Sequence, residues 1–349
     1  MSERGEARLL LAILAGRIPR AEDLARGVPP DPRSFVALCG RCDVHPQVHA
    51  ALERAGRPDL LGAEIEASLA AARNKVRLDN LVLLASLSKA LDVLRAAGVR
   101  PVALKGVDFV HRLYRSFDER TMDDIDLLVP PSDRDAAIEA LERAGWTAPR
   151  GLERTHWLKS SYEMPLASAG PITVGCEIHW GLGQEKRYAI DADAVVARAV
   201  PLPIDGREVL RLDDQDAAAH LLLHHVQHYF DRRLKWALDL AALSRQPAFS
   251  WDGVAARLSE WGGRGAAGLA LAHLRKLFPD LIDGAAARAI PAASWRLAAT
   301  WPVRSAHPLD FFRGTRRRAV QLWIAAAALE RPGDLASYWL HRRVRDRLS

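Results

Sequence analysis

Cysteine, lysine and long apolar runs are scarce in this sequence. Its 349 residues include only three cysteines and seven lysines. Three cysteines cannot build a disulfide framework, so we expect the chain to work in the reducing cytoplasm. The apolar run 9–15 is too short to span a bilayer, and no small-residue cleavage pattern follows it. We therefore expect neither a membrane span nor an export signal.

Two common catalytic signatures are also missing. The sequence has no Gly-rich loop of the Walker type and no nucleophile elbow, which argues against P-loop NTPases and α/β-hydrolases. What is present is the composition of a folded protein, with 49% apolar and 26% charged residues, close to globular averages. The length corresponds to roughly two domains.

The net charge of +6 is confined to one end of the chain. Residues 301–349 contain ten arginines and four acidic residues, so the rest of the chain is electrically balanced. This distribution does not favour nucleic acid as the main partner. We interpret the Arg-rich end as a solvated helical face, with an acidic partner or nucleic acid as the alternative.

The apolar periodicity divides the chain into three parts. It is helical up to residue 97, where Gly98 is a C-cap signal, and helical again from 213 almost to the end. Short apolar runs between these parts predict strands at 99–104 and at 124–129, and a third strand region that ends in 173–180. We therefore predict an α+β fold, in which a small mixed-sheet core is flanked by helical regions. The predicted division is an N-terminal helical region at 1–97, the core at 98–210 and a C-terminal helical region at 211–349.

Two helices are predicted inside the core. One covers 106–114, and the other runs from a capping box of Ser132 and Asp135 to about residue 144, where Gly145 closes it.

The second predicted strand carries a pair of carboxylates. Asp124 and Asp126 are two residues apart, so both side chains leave the same face of the strand, whereas Asp123 points away. Two carboxylates on one face repel each other unless a cation lies between them, and Mg²⁺ prefers oxygen ligands of this kind. The alternative for such a pair is a solvated strand end.

Other residues nearby suit the same chemistry. Lys105 and Gly106 stand where a strand meets a helix, and the free N–H groups of a helix start attract phosphate. Glu177 and His179 share a face of the third strand, and one intervening helix is enough to bring that strand beside the Asp pair. The alternatives are a strand-end lysine and a partly exposed strand carboxylate.

Taken in order, these segments resemble a known family. Residues 103–106, 113–114, 120–129 and 177–180 look like the bacterial uncharacterised nucleotidyltransferase family of the polymerase-β-like superfamily. The likeness continues in a helical pattern at 223–228, 234–239 and 251–252, and covers roughly residues 75–255. The wider superfamily has Gly-Ser where this chain has Lys105-Gly106, and usually Asp where it has Glu177.

The resemblance implies a two-ion Mg²⁺ site and a nucleotide substrate. Asp124 and Asp126 would hold the metal with Glu177 as the third acid, for which Glu163 and Glu185 are the next candidates. NTP contacts are implied for Lys105, Gly106, Arg120, His179, His224, His228 and Lys235. The expected reaction moves an NMP group from an NTP, with ATP the expected nucleotide, to an acceptor hydroxyl and releases pyrophosphate.

Two other clusters offer metal-binding residue types. Cys39, Cys42, His45 and His49 lie closer together than zinc-finger pairs do, and Pro46 is expected to break the element between the histidines, so buried thiols are favoured over zinc. His220, His224 and His228 fall on one helix face without the Glu of a metalloprotease. We favour a site-lining role for His224 and His228 over structural zinc.

Two classes of function remain. The first is an enzyme whose acceptor is a small molecule, a peptide or a protein. The second is a catalytically inactive module of the same fold that binds nucleotide or a partner. Retention of three acids and Lys105 favours the enzyme.

Overall fold

The computed structural model describes residues 1–148, 154, 157–158, 161–170, 172–183, 187–228, 230, 233–282, 284–300 and 318–329. The predicted candidate Glu185 and most of the Arg-rich end lie outside these residues. No helix within the described part of the chain is both long and apolar enough to cross a membrane.

Helices dominate both ends of the chain. The N-terminal helices are α1 (Glu3–Leu14), α2 (Ile18–Gly27), α3 (Pro32–Arg41), α4 (His45–Arg54) and α5 (Ala63–Ala96). The middle of the chain contributes α6 (Lys105–Arg112), α7 (Arg134–Arg143) and α8 (Ala192–Arg198). The C-terminal helices are α9 (Asp214–Gln227), α10 (Lys235–Leu243), α11 (Trp251–Glu260), α12 (Arg264–Leu277), α13 (Gly284–Ala289), α14 (Ser294–Ala299) and α15 (Arg318–Ala328).

A six-stranded mixed sheet lies between these helices. Its strands are β1 (Val102–Ala103), β2 (Ile125–Leu128), β3 (Glu163–Ala167), β4 (Gly175–His179), β5 (Val200–Ile204) and β6 (Arg207–Arg211). Their order across the sheet is β3-β4-β2-β1-β6-β5. The pairs β2–β4 and β1–β6 are parallel, and the other neighbouring pairs are antiparallel. The predicted α+β class with a mixed-sheet core is confirmed.

The two faces of the sheet differ in chemistry because side chains alternate along each strand. Ile125, Leu127, Cys176 and Ile178 point to one face and are fully buried. They belong to a hydrophobic cluster with leucines of α5 and apolar residues of α7. The opposite face of β2 and β4 carries the acidic side chains. Burial of the apolar side chains on one face therefore directs the acidic side chains to the other.

Several predicted boundaries need correction. The strand predicted at 99–104 is reduced to β1, and the capping box of Ser132 and Asp135 is wrong. Residues Pro131–Asp133 form a 3-10 turn, α7 begins only at Arg134, and its N-cap has no side-chain hydrogen bond. Ser132 Oγ lies 3.2 Å from Asp133 Oδ1 instead.

Pro46 does not break the N-terminal histidine segment, contrary to prediction. It sits in the first turn of α4, which begins at His45, where the missing N–H of proline has no helical acceptor to lose. Cys39 and Cys42 are buried free thiols, as expected.

Candidate functional site

A cavity of about 810 Å³ opens on the polar face of the sheet. Its walls come from the end of α3, from the sheet and α6, and from α9 and α10. All ten residues proposed from the sequence line it, namely Lys105, Gly106, Arg120, Asp124, Asp126, Glu177, His179, His224, His228 and Lys235.

The strand register brings the acids together. Asp124 and Asp126 leave the same face of the chain at β2, and the parallel pairing of β2 with β4 sets Glu177 directly opposite Asp126. His179 follows two residues after Glu177 on the same face. The antiparallel strand β3 then places Glu163 opposite His179.

Asp126 is held by two cationic side chains. Its Oδ1 accepts a hydrogen bond from His179 Nε2 at 2.9 Å, and its Oδ2 lies 3.2 Å from Lys105 Nζ. Burial works to raise the pKa of Asp126, but Lys105 and His179 outweigh it and hold this pKa well below its usual range. In this arrangement the charge of Asp126 is neutralised by the protein's own cations.

Asp124 has the opposite electrostatic environment. Burial and the negative charges of Asp126 and Glu177 raise its pKa to about 7, and attraction to Lys105 only partly offsets them. Asp124, just before β2, and Asp126, two residues later on β2, thus have pKa values shifted in opposite directions. Such separation is typical of functional sites.

His179 stands among three carboxylates. Besides Asp126, its Nδ1 lies 3.3 Å from Glu163 Oε2 and its Nε2 lies 3.5 Å from Glu177 Oε2. Burial favours neutral imidazole, but the hydrogen bonds to Asp126 and Glu177 and the charge of Glu163 raise the pKa of His179 to about 10. Glu163, considered from the sequence only as a substitute for Glu177, is thus the outer partner of this histidine.

Lys105 begins α6 in an unusual backbone conformation, with φ +37°. Burial works to lower its pKa, yet the charges of Asp126 and Asp124 raise it, so the lysine is cationic. Its neighbour Gly106 has little spare room, because an added Cβ would lie 3.3 Å from Arg120 Nη1 and from Met122 Cγ.

The donor set fits a divalent cation. Ligand atoms of Asp126, Glu177 and His179 lie within 4.8 Å of one another. Asp124, Asp126, Glu163 and Glu177 supply more negative charge than Lys105 and His179 neutralise. Carboxylate oxygens suit Mg²⁺, whereas the protonated His179 donates to Asp126 and offers no lone pair there.

The opposite wall is fixed by a second group of charges. Lys235 is buried and its Nζ contacts Asp43 Oδ2 at 2.5 Å, Asp123 Oδ2 at 3.1 Å and Thr121 Oγ1 at 3.1 Å. Burial works to raise the pKa of Asp123, but Lys235 and Arg233 lower it overall. Asp123 lines the cavity but turns to these cations, away from Asp126, as the strand alternation predicts.

Arg120 is held just before the acid strand. It forms a double ion pair with Asp239, with Nε–Oδ1 at 2.9 Å and Nη2–Oδ2 at 2.8 Å, and both side chains are almost fully buried. Tyr114 donates to Asp239 Oδ1 at 2.6 Å. Sequence reasoning missed Asp239 as a partner, although it lies within one of the segments that carry the family likeness.

The histidines of α9 form an aromatic wall. The rings of His224 and His228 are 4.3 Å apart, and that of His224 lies 4.7 Å from the ring of Trp236. Burial lowers the pKa of His220 to about 3 and that of His224 well below its usual value, so both are neutral. Neither this set nor the Cys39–His49 cluster brings three ligand atoms together within the described residues.

One known protein family matches most of this chain. A family model described as uncharacterised nucleotidyltransferase matches residues 29–279. No curated protein matches the chain. A solved structure, that of an antigenic nucleotidyltransferase-like protein from Paracoccidioides brasiliensis, is 15% identical and is matched over 61% of this chain and 95% of its own, with a TM-score of 0.37.

Proposed function

Since this chain belongs to the uncharacterised nucleotidyltransferase family, we propose that it transfers an NMP group from an NTP, ATP in the first instance, to an acceptor hydroxyl. The observation that carries this proposal is the convergence of Asp124, Asp126 and Glu177 beside Lys105 in one cavity. The scarcity of cysteine supports action in the cytoplasm.

We place the phosphates of the NTP at the N-terminus of α6. Lys105 brings a positive charge, and the first N–H groups of this helix have no intrahelical acceptor, so both attract phosphate oxygens. Gly106 lets Arg120 and Met122 pack closely against this helix start. The neutral imidazole of His224 and the ring of His228, with the cationic residues Arg120 and Lys235, complete the wall along which we place the NTP.

Asp124, Asp126 and Glu177 are the residues that would hold Mg²⁺, in a two-ion arrangement. When bound, Mg²⁺ supplies neutralisation of phosphate charge and a lowered pKa of the acceptor hydroxyl. The local excess of carboxylates around Asp126, where four acids face Lys105 and His179, supports this assignment.

Glu177 is proposed to act on the acceptor side. It lies on β4, across the sheet from Lys105 and next to His179, whose position is fixed by Glu163. There it can take up the proton of an acceptor hydroxyl or hold the metal that faces it. The acceptor is a small molecule, a peptide or a protein.

Transfer of label tests the function directly. The protein is incubated with NTPs labelled at the α-phosphate, Mg²⁺ and cell extract, and the extract is searched for labelled acceptor. We expect label with the wild type and with Asp193→Asn, which changes an exposed acid at the start of α8, but not with Asp126→Asn. NTP binding without transfer by the wild type would instead identify an inactive binding module.

A further inference from the structure

Both carboxylate oxygens of Asp126 already contact cationic side chains. Oδ1 accepts from His179 Nε2, and Oδ2 lies 3.2 Å from Lys105 Nζ. The Asp126 side chain is only 5% exposed, so water has little access to it. A divalent cation that binds this carboxylate would lie close to the positive charges of both Lys105 and His179, so its binding is favoured when one of these resident cations withdraws.

His179 is the less mobile of the two cations. It lies on β4, which is paired on both sides, its side chain is 3% exposed, and it contacts Glu163 and Glu177 in addition to Asp126. Moving its ring would leave a buried imidazolium without partners, which is costly.

Lys105 is the mobile one. Among the described residues, Asp126 is the only carboxylate within ion-pair distance of its Nζ. Its side chain is 14% exposed, and a lysine ammonium sits on a flexible four-carbon stem. The residue also begins α6, where the proposed function places the triphosphate, so a second anionic partner is within reach of the same side chain.

On the basis of the function proposed above, we propose that Lys105 is a resident counter-ion that excludes a divalent cation from Asp126 until a nucleotide arrives. In the free protein the lysine neutralises Asp126. When an NTP binds, Lys105 turns to the phosphates and Asp126 Oδ2 becomes free. Nucleotide and metal therefore bind in a coupled manner, and by linkage each raises the affinity of the protein for the other.

The backbone at Lys105 points in the same direction. The lysine adopts a left-handed backbone conformation, φ +37°, which is unfavourable for a residue with a side chain. The ion pair of Lys105 with Asp126 offsets part of the cost of this backbone conformation.

Calorimetric titration with Mg²⁺ alone, without nucleotide, tests the proposal. We expect Lys105→Met to bind Mg²⁺ at least about tenfold more tightly than the wild type, because a repelling charge leaves the site. Lys89→Met, the same change at an exposed position of α5, is the matched control and should match the wild type. The gain should vanish in the double variant Lys105→Met/Asp126→Asn.

Amine labelling of the wild type gives a second readout that needs no variant. Saturating Mg²⁺ should increase the modification of Lys105 by an amine-reactive reagent, measured by mass spectrometry, whereas the exposed Lys89 serves as the internal reference. Unchanged labelling, equal Mg²⁺ affinity of the wild type and Lys105→Met, or a gain that persists in the double variant each overturns the proposal. If the wild type still binds and transfers NTP in any of these cases, the proposed function stands and only the counter-ion role fails.

Discussion

Asp124 and Asp126 allow a test in which two equivalent substitutions have opposite effects. Both residues can be changed to Asn, which keeps the shape of the side chain and removes one negative charge. We expect Asp124→Asn to raise, and Asp126→Asn to lower, the free energy of unfolding of the metal-free protein at pH 8. The reason is that the pKa of Asp124 is raised and that of Asp126 is lowered by their surroundings.

The magnitudes follow from these surroundings. The pKa of Asp124 rises from its ordinary 3.8 to about 7, and at about 1.4 kcal/mol per unit the ionised carboxylate costs up to about 4 kcal/mol. Asp124→Asn removes this cost. Asp126→Asn leaves Lys105 and His179 without their shared anion, and breaking a buried ion pair costs about 3 kcal/mol or more.

The effect of Asp124→Asn also depends on pH. Below about pH 3, Asp124 is protonated in both the folded and the unfolded chain, so variant and wild type are equally stable with respect to this group. As the pH rises through 3.8 toward 7, the unfolded chain ionises first, and the wild type loses stability relative to the variant. Above about pH 8 the difference is constant.

Urea unfolding in the presence of EDTA measures both effects. The two variants and the wild type are compared at pH 4.5 and pH 8, with Asp193→Asn as the control at an exposed site. A shift of the unfolding midpoint in the same direction for both variants at pH 8 would contradict the assignment of the charges. So would a stabilisation by Asp124→Asn that is equally large at both pH values.

Three further predictions concern ligands and a buried ion pair. Lys105→Ala should weaken NTP binding while leaving nucleoside binding unchanged, since the charge of Lys105 interacts with phosphate. Equal NTP affinities of the wild type and the variant in calorimetry would show that Lys105 does not bind the phosphates. Glu177→Gln should bind NTP nearly normally and slow transfer by about 10² or more, the scale of a lost general base; equal labelling rates would direct the search to Glu163. Asp239→Asn should lower the free energy of unfolding by about 3–5 kcal/mol because Arg120 is left buried without its anion, and an unchanged urea midpoint would show that the pair is dispensable.

The sheet could be predicted from the sequence only in part. The strand β2 is recognisable because Ile125 and Leu127 alternate with acids over a short run. The hairpin β5–β6 was missed, although its Asp205-Gly206 turn has the positive φ values typical of a two-residue hairpin. Pro201 and Pro203 make β5 hard to recognise from the sequence, since proline argues against a central strand. In the structure β5 lies at the edge of the sheet, where proline is tolerated.

The site shows the same division between local and distant information. The sequence identifies Asp124, Asp126 and Lys105 because their spacing and local structure are sufficient. It does not show that Glu163 faces His179, since that depends on the register of β3 with β4. Nor does it show that Asp239, 119 residues away, neutralises Arg120, because no local pattern specifies the partner of a buried charge.

The segment before β2 explains why Lys105 is the movable part of this site. Thr121 donates to Asp43 from the N-terminal region, and Lys235 from the C-terminal region pairs with both Asp43 and Asp123. With Arg120 fixed by Asp239, the chain entering β2 is held by one buried ion pair and by the partly buried contacts of Thr121 and Lys235, which preorganises the carboxylates. Of the two cations on Asp126, Lys105 is the more exposed and the one with a flexible stem, so we expect rearrangement there. Ligand binding should therefore change the position of Lys105 while leaving the backbone of β2 in place.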